Sequence, residues 1–429
     1  MVYVYNLILD YIDYKVKSMI VSSFIKPFRE MNDLQKKNVI FIMLVSFVVL
    51  FSYSMIRSTV DALFLDLVGA KKSPYIWFYS VLFLTIAIGF YNKFQTRIKI
   101  QSLFLMTCVF AFILFATGAL LIGHAPVVWA YTLSILKEVY IILLVHMGVG
   151  LLNETVDYQV AKFLYGPVGA INGLAGMFGG MATSWLTYSF STEQILLIGC
   201  FVLLSSSALF WKTSHIELKP SSNQQSESPL RAIKPVAFYI FWIVMIVALS
   251  QVCISLANFK FNLLFEQMVP EKMLKTRYLG NINTAISALN LTVQIIIVPL
   301  SLRFFRSKTL QFAIPIAYGL FAVWGFGFGS SFLIPVAATF VFFKGIDYSI
   351  FSVLKELLYF PLKTVQKYGA KYIVDMVVYR FAKGIISFIL IFWQSMLFID
   401  IALGTSLIIW IVSLIFMFKE QKKIFGGQL

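Results

Sequence analysis

The sequence predicts an all-α polytopic membrane protein with about 12 transmembrane helices in two six-helix bundles. Three observations carry this. The 429 residues are 60% apolar and 13% charged, against roughly 45–50% and about 25% in soluble domains. Apolar runs of spanning length, about 20 residues, recur along the chain in sufficient number for roughly 12 crossings. One long polar stretch interrupts them near the middle. A mean hydropathy of +0.85 excludes a soluble enzyme, a disordered tail and a secreted disulfide scaffold.

The segment 1–37 mixes Tyr, Ile, Leu and Val with Asp10, Asp13, Lys15, Lys17, Lys26 and Arg29. It is too interrupted for the core of a signal peptide and reads as an amphipathic segment on the membrane surface. Spans follow at 38–57, 74–91, 100–122, 126–150, 167–188 and 194–211, an N-terminal bundle over 38–211. Segment 212–235, rich in Ser, Gln, Asn and Pro, reads as a flexible cytoplasmic linker. The C-terminal bundle over 236–418 has spans at 236–259, 280–302, 309–329, 332–353, 374–394 and 396–418, before a cytoplasmic tail at 419–429. Six plus six around such a linker is a major-facilitator-like plan. Pro299, Pro315 and Pro335 each remove a helical hydrogen bond and predict kinks in spans eight to ten.

The net charge of +16 would suggest nucleic acid in a soluble chain. Here the bases collect in alternate loops: Lys36 and Lys37; Lys93, Arg97 and Lys99; Lys212, Lys219, Arg231 and Lys234; Arg303, Arg306 and Lys308; Lys419, Lys422 and Lys423. With 12 spans, all of these fall on one side. The positive-inside rule then places both termini in the cytoplasm; the reading is a multi-pass protein of a bacterial inner membrane, with no nucleic-acid partner. Loop 260–279 is the exception. It carries Lys260, Lys272, Lys275 and Arg277 against Glu266 and Glu271 on the predicted outside.

Cys108, Cys200 and Cys253 lie far apart inside apolar runs, so they read as small hydrophobes. The three histidines, His124, His146 and His215, stand near no carboxylate cluster. An intramembrane enzyme needs a nucleophile with a base, or metal ligands at helical spacing; the reading is no enzyme, no metal and no cofactor. Gly325–Gly329 lacks the Lys-Ser/Thr of a phosphate loop and reads as a bend.

Charges inside hydrocarbon are expensive, so they face a wet cavity or a partner. Arg57 and Asp61 share a helix face at i,i+4. Lys137 and Glu138 sit inside span four, and Lys344 and Asp347 inside span ten. These six groups are expected around a central polar cavity. Lys355 and Glu356, then Lys371, Asp375, Arg380 and Lys383, are expected to form a cytoplasmic gate. Gly169 with Gly173 and Gly176 with Gly180 have the GxxxG spacing of close helix packing.

Three polar segments resemble the ATP/ADP translocase family of plastids and intracellular bacteria. They are Tyr348-Ser349-Ile350-Phe351 with Lys355-Glu356, Tyr359, Pro361-Leu362, Lys371, Asp375, Arg380 and Lys383; Asn153-Glu154 with Ala161-Lys162, Tyr165 and the glycine-rich span; and Arg57 with Asp61 and Leu63. The resemblance implies alternating-access transport of a nucleotide, by a divergent member with Arg57, Lys137 and Lys344 on the cargo, and with Asp61 and Glu138 orienting those bases. The chain departs from the family's bases at Val60, Asn262, Phe163 and Asp347, and from its acid at Asn258. A nucleotide needs converging cations, and this set is sparse for a triphosphate. It also suits an uncharged polar solute such as a polyol, sugar or nucleoside, with Asp61, Glu138 or Asp347 carrying a coupling proton. The expected partners are that small molecule, a coupling proton or counter-substrate, and the bilayer, with the chain acting as a monomer.

Overall fold

The computed structural model describes residues 31–95, 97–156, 158–213 and 233–426. Most of the amphipathic N-terminal segment and of the linker therefore lie outside the described residues. Helices alone make up the regular structure among them. The first half contains α1 (Asp33–Leu67), α2 (Ser73–Phe94), α3 (Ile100–Leu121), α4 (Pro126–Thr155), α5 (Tyr158–Leu186) and α6 (Thr192–Trp211). The second contains α7 (Ala237–Met268), α8 (Lys272–Phe304), α9 (Ser307–Phe328), α10 (Leu333–Leu358), α11 (364–392) and α12 (Met396–Phe425). Ten helices of the described residues are long and apolar enough to cross a membrane.

Each predicted span matches one of these helices, overshooting it by no more than two residues, and several helices outrun their apolar runs. At about 1.5 Å per residue, the 35 residues of α1 extend well past a hydrocarbon layer of about 30 Å. Local chemistry sets the ends. The Asn32 side chain accepts from Gln35 N at 2.8 Å while Gln35 returns a bond to Asn32 N at 3.1 Å, a reciprocal cap on two otherwise orphan donors. Ser191 and Gln194 repeat it before α6, and left-handed Gly426 ends α12.

The packing is that of a protein in lipid. One core, around Phe104, Phe115, Leu203 and Phe210, joins α3, α4 and α6 to α1. A second, around Tyr239, Tyr318, Phe343 and Trp410, holds the C-terminal helices. Phe110, Phe201, Leu320 and Ile334 point outward, which costs nothing against lipid tails. All three cysteines are buried and free.

Four π-helical turns interrupt the C-terminal half, at Val293–Ile297, Ala322–Phe328, Asp347–Phe351 and Tyr372–Val378. Each inserts a residue and turns the following side chains onto a new face. Pro299 follows the first of them, in the helical stretch Val298–Phe304, and lacks the N–H an unbroken ladder would use.

The GxxxG face of α5 lies against α8 of the other half. Cβ atoms built on Gly173, Gly176 and Gly180 would meet Leu291, Ser287 and Gly280 O respectively. At Gly180 that carbonyl would stand only 2.6 Å away. Gly180→Ala is therefore expected to force the two helices apart and to cost about 1–3 kcal/mol as overpacking, read as a lower thermal midpoint in detergent. Gly123→Ala, with open space around it, is the control and should leave the midpoint unchanged.

Candidate functional site: a central charged cavity between the two halves

Six helices line a cavity of about 360 Å³ between the two halves. The N-terminal half contributes Tyr53 and Arg57 from α1, Trp77 and Ser80 from α2, and Glu138 from α4. The C-terminal half contributes Gln251, Ser255 and Asn258 from α7, Lys344 and Tyr348 from α10, and Tyr379, Arg380 and Lys383 from α11. Four cations thus face one carboxylate across the cavity wall. Lys344 sits 5.7 Å from the Tyr348 ring centre. Neither Lys344 nor Arg380 makes an ion pair among the described residues.

The remaining charges form a chain across the two halves. Arg57 Nε lies 3.8 Å from Asp61 Oδ2, Asp61 pairs with Lys137, Lys137 Nζ lies 3.6 Å from Glu138 Oε1, and Lys383 Nζ lies 3.0 Å from Glu138 Oε2. Lys137 is almost wholly buried. Asp61, Lys137 and Asn262 line a smaller pocket of about 50 Å³ that shares Arg57, Trp77, Glu138 and Asn258 with the main cavity. Asp347 sits behind the cavity wall, where it accepts from Gln251 Nε2 and Tyr379 OH, both at 3.3 Å.

One end of the molecule is closed by polar contacts between the halves. Lys275 pairs with Asp66 at 3.0 Å and Lys272 with Glu193 at 2.7 Å. Ala70 N donates to Glu266 at 2.8 Å, beside Gly69, whose φ of +94° disfavours any other residue. Arg277 donates to Thr187 Oγ1 at 3.1 Å and stacks 4.0 Å from the Tyr188 ring centre. At the opposite end, polar contacts among the described residues include three within a half: Gln35 with Thr155 O, Tyr239 with Leu358 O, and Glu356 with Lys371.

No family model and no curated protein matches the chain. Solved structures do. A D-xylose-proton symporter superposes with TM-score 0.62 at 12% identity, over 89% of this chain and 97% of its own. A bacterial homologue of the iron transporter ferroportin, in an inward-facing state, gives 0.65 at 12%, over 90% and 99%. A nucleoside transporter mutant gives 0.61 at 12%, over 89% and 99%. The fold is the major-facilitator fold.

Within this fold the expected site residues separate into groups. Arg57, Glu138, Asn258 and Lys344 line the main cavity, while Asp61 and Lys137 lie in the adjoining pocket and Asp347 behind the wall. Two residues expected at the gate are elsewhere: Arg380 and Lys383 face the cavity. The π turn at Tyr372–Val378 ends immediately before them and resets their face of α11. Lys371 and Glu356 do pair, at the α10–α11 end. Lys344, and after it Lys355, supplies positive field at Asp347. The Asp375 side chain lies outside the described residues.

The end closure accounts for the charges that broke the loop pattern. Lys260 is not in a loop; it lies within α7 and pairs with Asp400 of α12. Lys272, Lys275 and Arg277 belong to the first turns of α8 and reach across to the N-terminal half. Reversing one of these, Lys275→Glu, sets two carboxylates against each other. It is expected to speed maleimide labelling of a cysteine placed at Ser73 about tenfold, a shift of about 1.4 kcal/mol. Adding Asp66→Lys to that variant should return the rate to near its starting value.

Proposed function

We propose that the protein is a secondary carrier working by alternating access, with a polar organic anion of the nucleotide kind as cargo. One observation carries this reading: four cations face one carboxylate across the central cavity, and Lys344 and Arg380 make no ion pair among the described residues. Cations that outnumber the carboxylates around a low-dielectric site are costly until an anion joins them. Planar Arg380 and Arg57 suit the paired oxygens of a phosphate, and Lys344 supplies a point charge. The volume of about 360 Å³ lies at the small end of ligand sites, about 300–1,000 Å³. Positive-inside orientation puts the closed end outside and the termini in the cytoplasm of a bacterial inner membrane, an inward-facing arrangement.

Asp347 favours a second reading. It is a buried carboxylate whose described hydrogen bonds come from neutral groups, Gln251 and Tyr379. Such a group suits a proton-coupled importer of an uncharged sugar, polyol or nucleoside. The similarity in fold to a xylose-proton symporter and a nucleoside transporter supports this cargo class better than the nucleotide one. Uptake into proteoliposomes separates the two. Labelled nucleotide exchanging against internal nucleotide, without a pH gradient, would sink the uncharged-solute reading. Accumulation of an uncharged solute that requires only the pH gradient would sink the anion reading.

A further inference from the structure

A second cavity, of about 220 Å³, adjoins the central one and shares Tyr53, Arg57 and Tyr348 with it. It lies between α1, α5 and α8. Its α8 wall presents Asn283, Ser287 and Asn290, at i, i+4 and i+7 on one helix face. The facing α5 wall presents Asn172 beside Gly173 and Gly176, whose missing side chains leave the space. Arg57 is its single charged lining residue.

The polar atoms here are unevenly used. Asn283 Nδ2 donates to Ser58 Oγ at 2.8 Å, and Ser54 Oγ donates to Gly176 O at 2.9 Å. The Oδ1 atoms of Asn172 and Asn290 are buried without a partner, and neither amide makes a hydrogen bond among the described residues. Exchanging O and N in either amide would leave the same deficit. Amides at mid-membrane depth normally bond a neighbouring helix, and buried polar groups normally find partners. Two amides that find none, lining one cavity, await groups from outside the chain.

We infer that this recess holds the uncharged heterocyclic end of the cargo, the base of a nucleotide, while the central cavity holds its phosphate. This rests on the anionic reading of the central cavity. A primary amide offers an adjacent acceptor and donor, which match a base edge carrying both. Tyr53 and Tyr348, on the shared wall, give π faces on which a base can stack. The absence of any carboxylate from the lining argues against a metal ion or an amine there.

Equilibrium binding to the purified full-length protein in detergent tests this, using nucleoside monophosphates, ribose 5-phosphate and free nucleosides. The nucleoside monophosphates are expected to bind at least tenfold more tightly than ribose 5-phosphate. Asn290→Ala and Asn172→Ala should each remove most of that advantage and leave ribose 5-phosphate affinity unchanged. Equal wild-type affinity for the two phosphates would overturn the recess while the anionic reading stands, and so would variants that keep the full advantage. Free nucleosides that bind while both phosphates do not would support the recess and overturn the anionic reading. Absence of binding by all three would overturn both. The wild-type comparison decides the matter even where a variant fails to fold.

Discussion

Lys137→Met will destabilise the protein by about 3 kcal/mol, because it removes the central cation of a buried ion-pair chain. Lys137 touches Asp61 and Glu138 at once. Without it the two carboxylates keep only Arg57, at 3.8 Å, and Lys383, at 3.0 Å, as ion-pair partners. Breaking a buried pair from one side costs about 3–5 kcal/mol, mostly as the penalty of the stranded charge. The lower end applies, because the Asp61 and Glu138 side chains keep 31% and 23% exposure, against 5% for Lys137. The check is unfolding in detergent, with Lys137→Met/Asp61→Asn beside the single variant. Removing both partners should recover about half of the loss, since residues in contact are not additive. An unchanged midpoint in Lys137→Met would show that the chain is solvated and contributes nothing.

The membrane spans were legible because hydropathy reads the hydrocarbon slab directly. Their ends were not, because helices continue into water on caps and ion pairs. Lys260, and the turn from Lys272 to Arg277, look like loop in a hydropathy reading, yet they are helical because Asp400, Asp66 and Glu193 satisfy them from elsewhere in the chain. The site shows the same limit. Spacing identified Arg57 with Asp61, which do pair. It also suggested Lys344 with Asp347, and Lys344 is the strongest positive charge acting on Asp347, whose hydrogen bonds nevertheless come from Gln251 and Tyr379. Pairs across helices, such as Lys383 with Glu138, have no sequence spacing to read. The π turns leave no pattern either, and one of them places Arg380 at the cavity. Asn172, Asn283 and Asn290 carry no charge, so a reading that looks for ionisable groups inside the spans passes over them. Their signal was the i,i+7 spacing of Asn283 and Asn290 inside an apolar span.

Lys344→Gln combined with Arg380→Gln will lower affinity for an anionic cargo by roughly 10²–10⁴-fold. A hydrogen bond to a charged group contributes about 1.5–3 kcal/mol, so two together give roughly 3–6 kcal/mol, at about 1.4 kcal/mol for each factor of ten. Both side chains face the cavity and make no ion pair among the described residues. Their loss breaks no described ion pair, although buried Asp347 loses the field of Lys344, so stability should change far less than in Lys137→Met. This sets the pair apart from Lys137, where function and folding fall together. The measurement is binding of a labelled nucleotide, with the unfolding midpoint as the second readout and Lys308→Gln, remote from the cavity, as control. A double variant with unchanged midpoint and unchanged affinity would remove the anion reading, leaving Asp347 and an uncharged cargo as the account of the cavity.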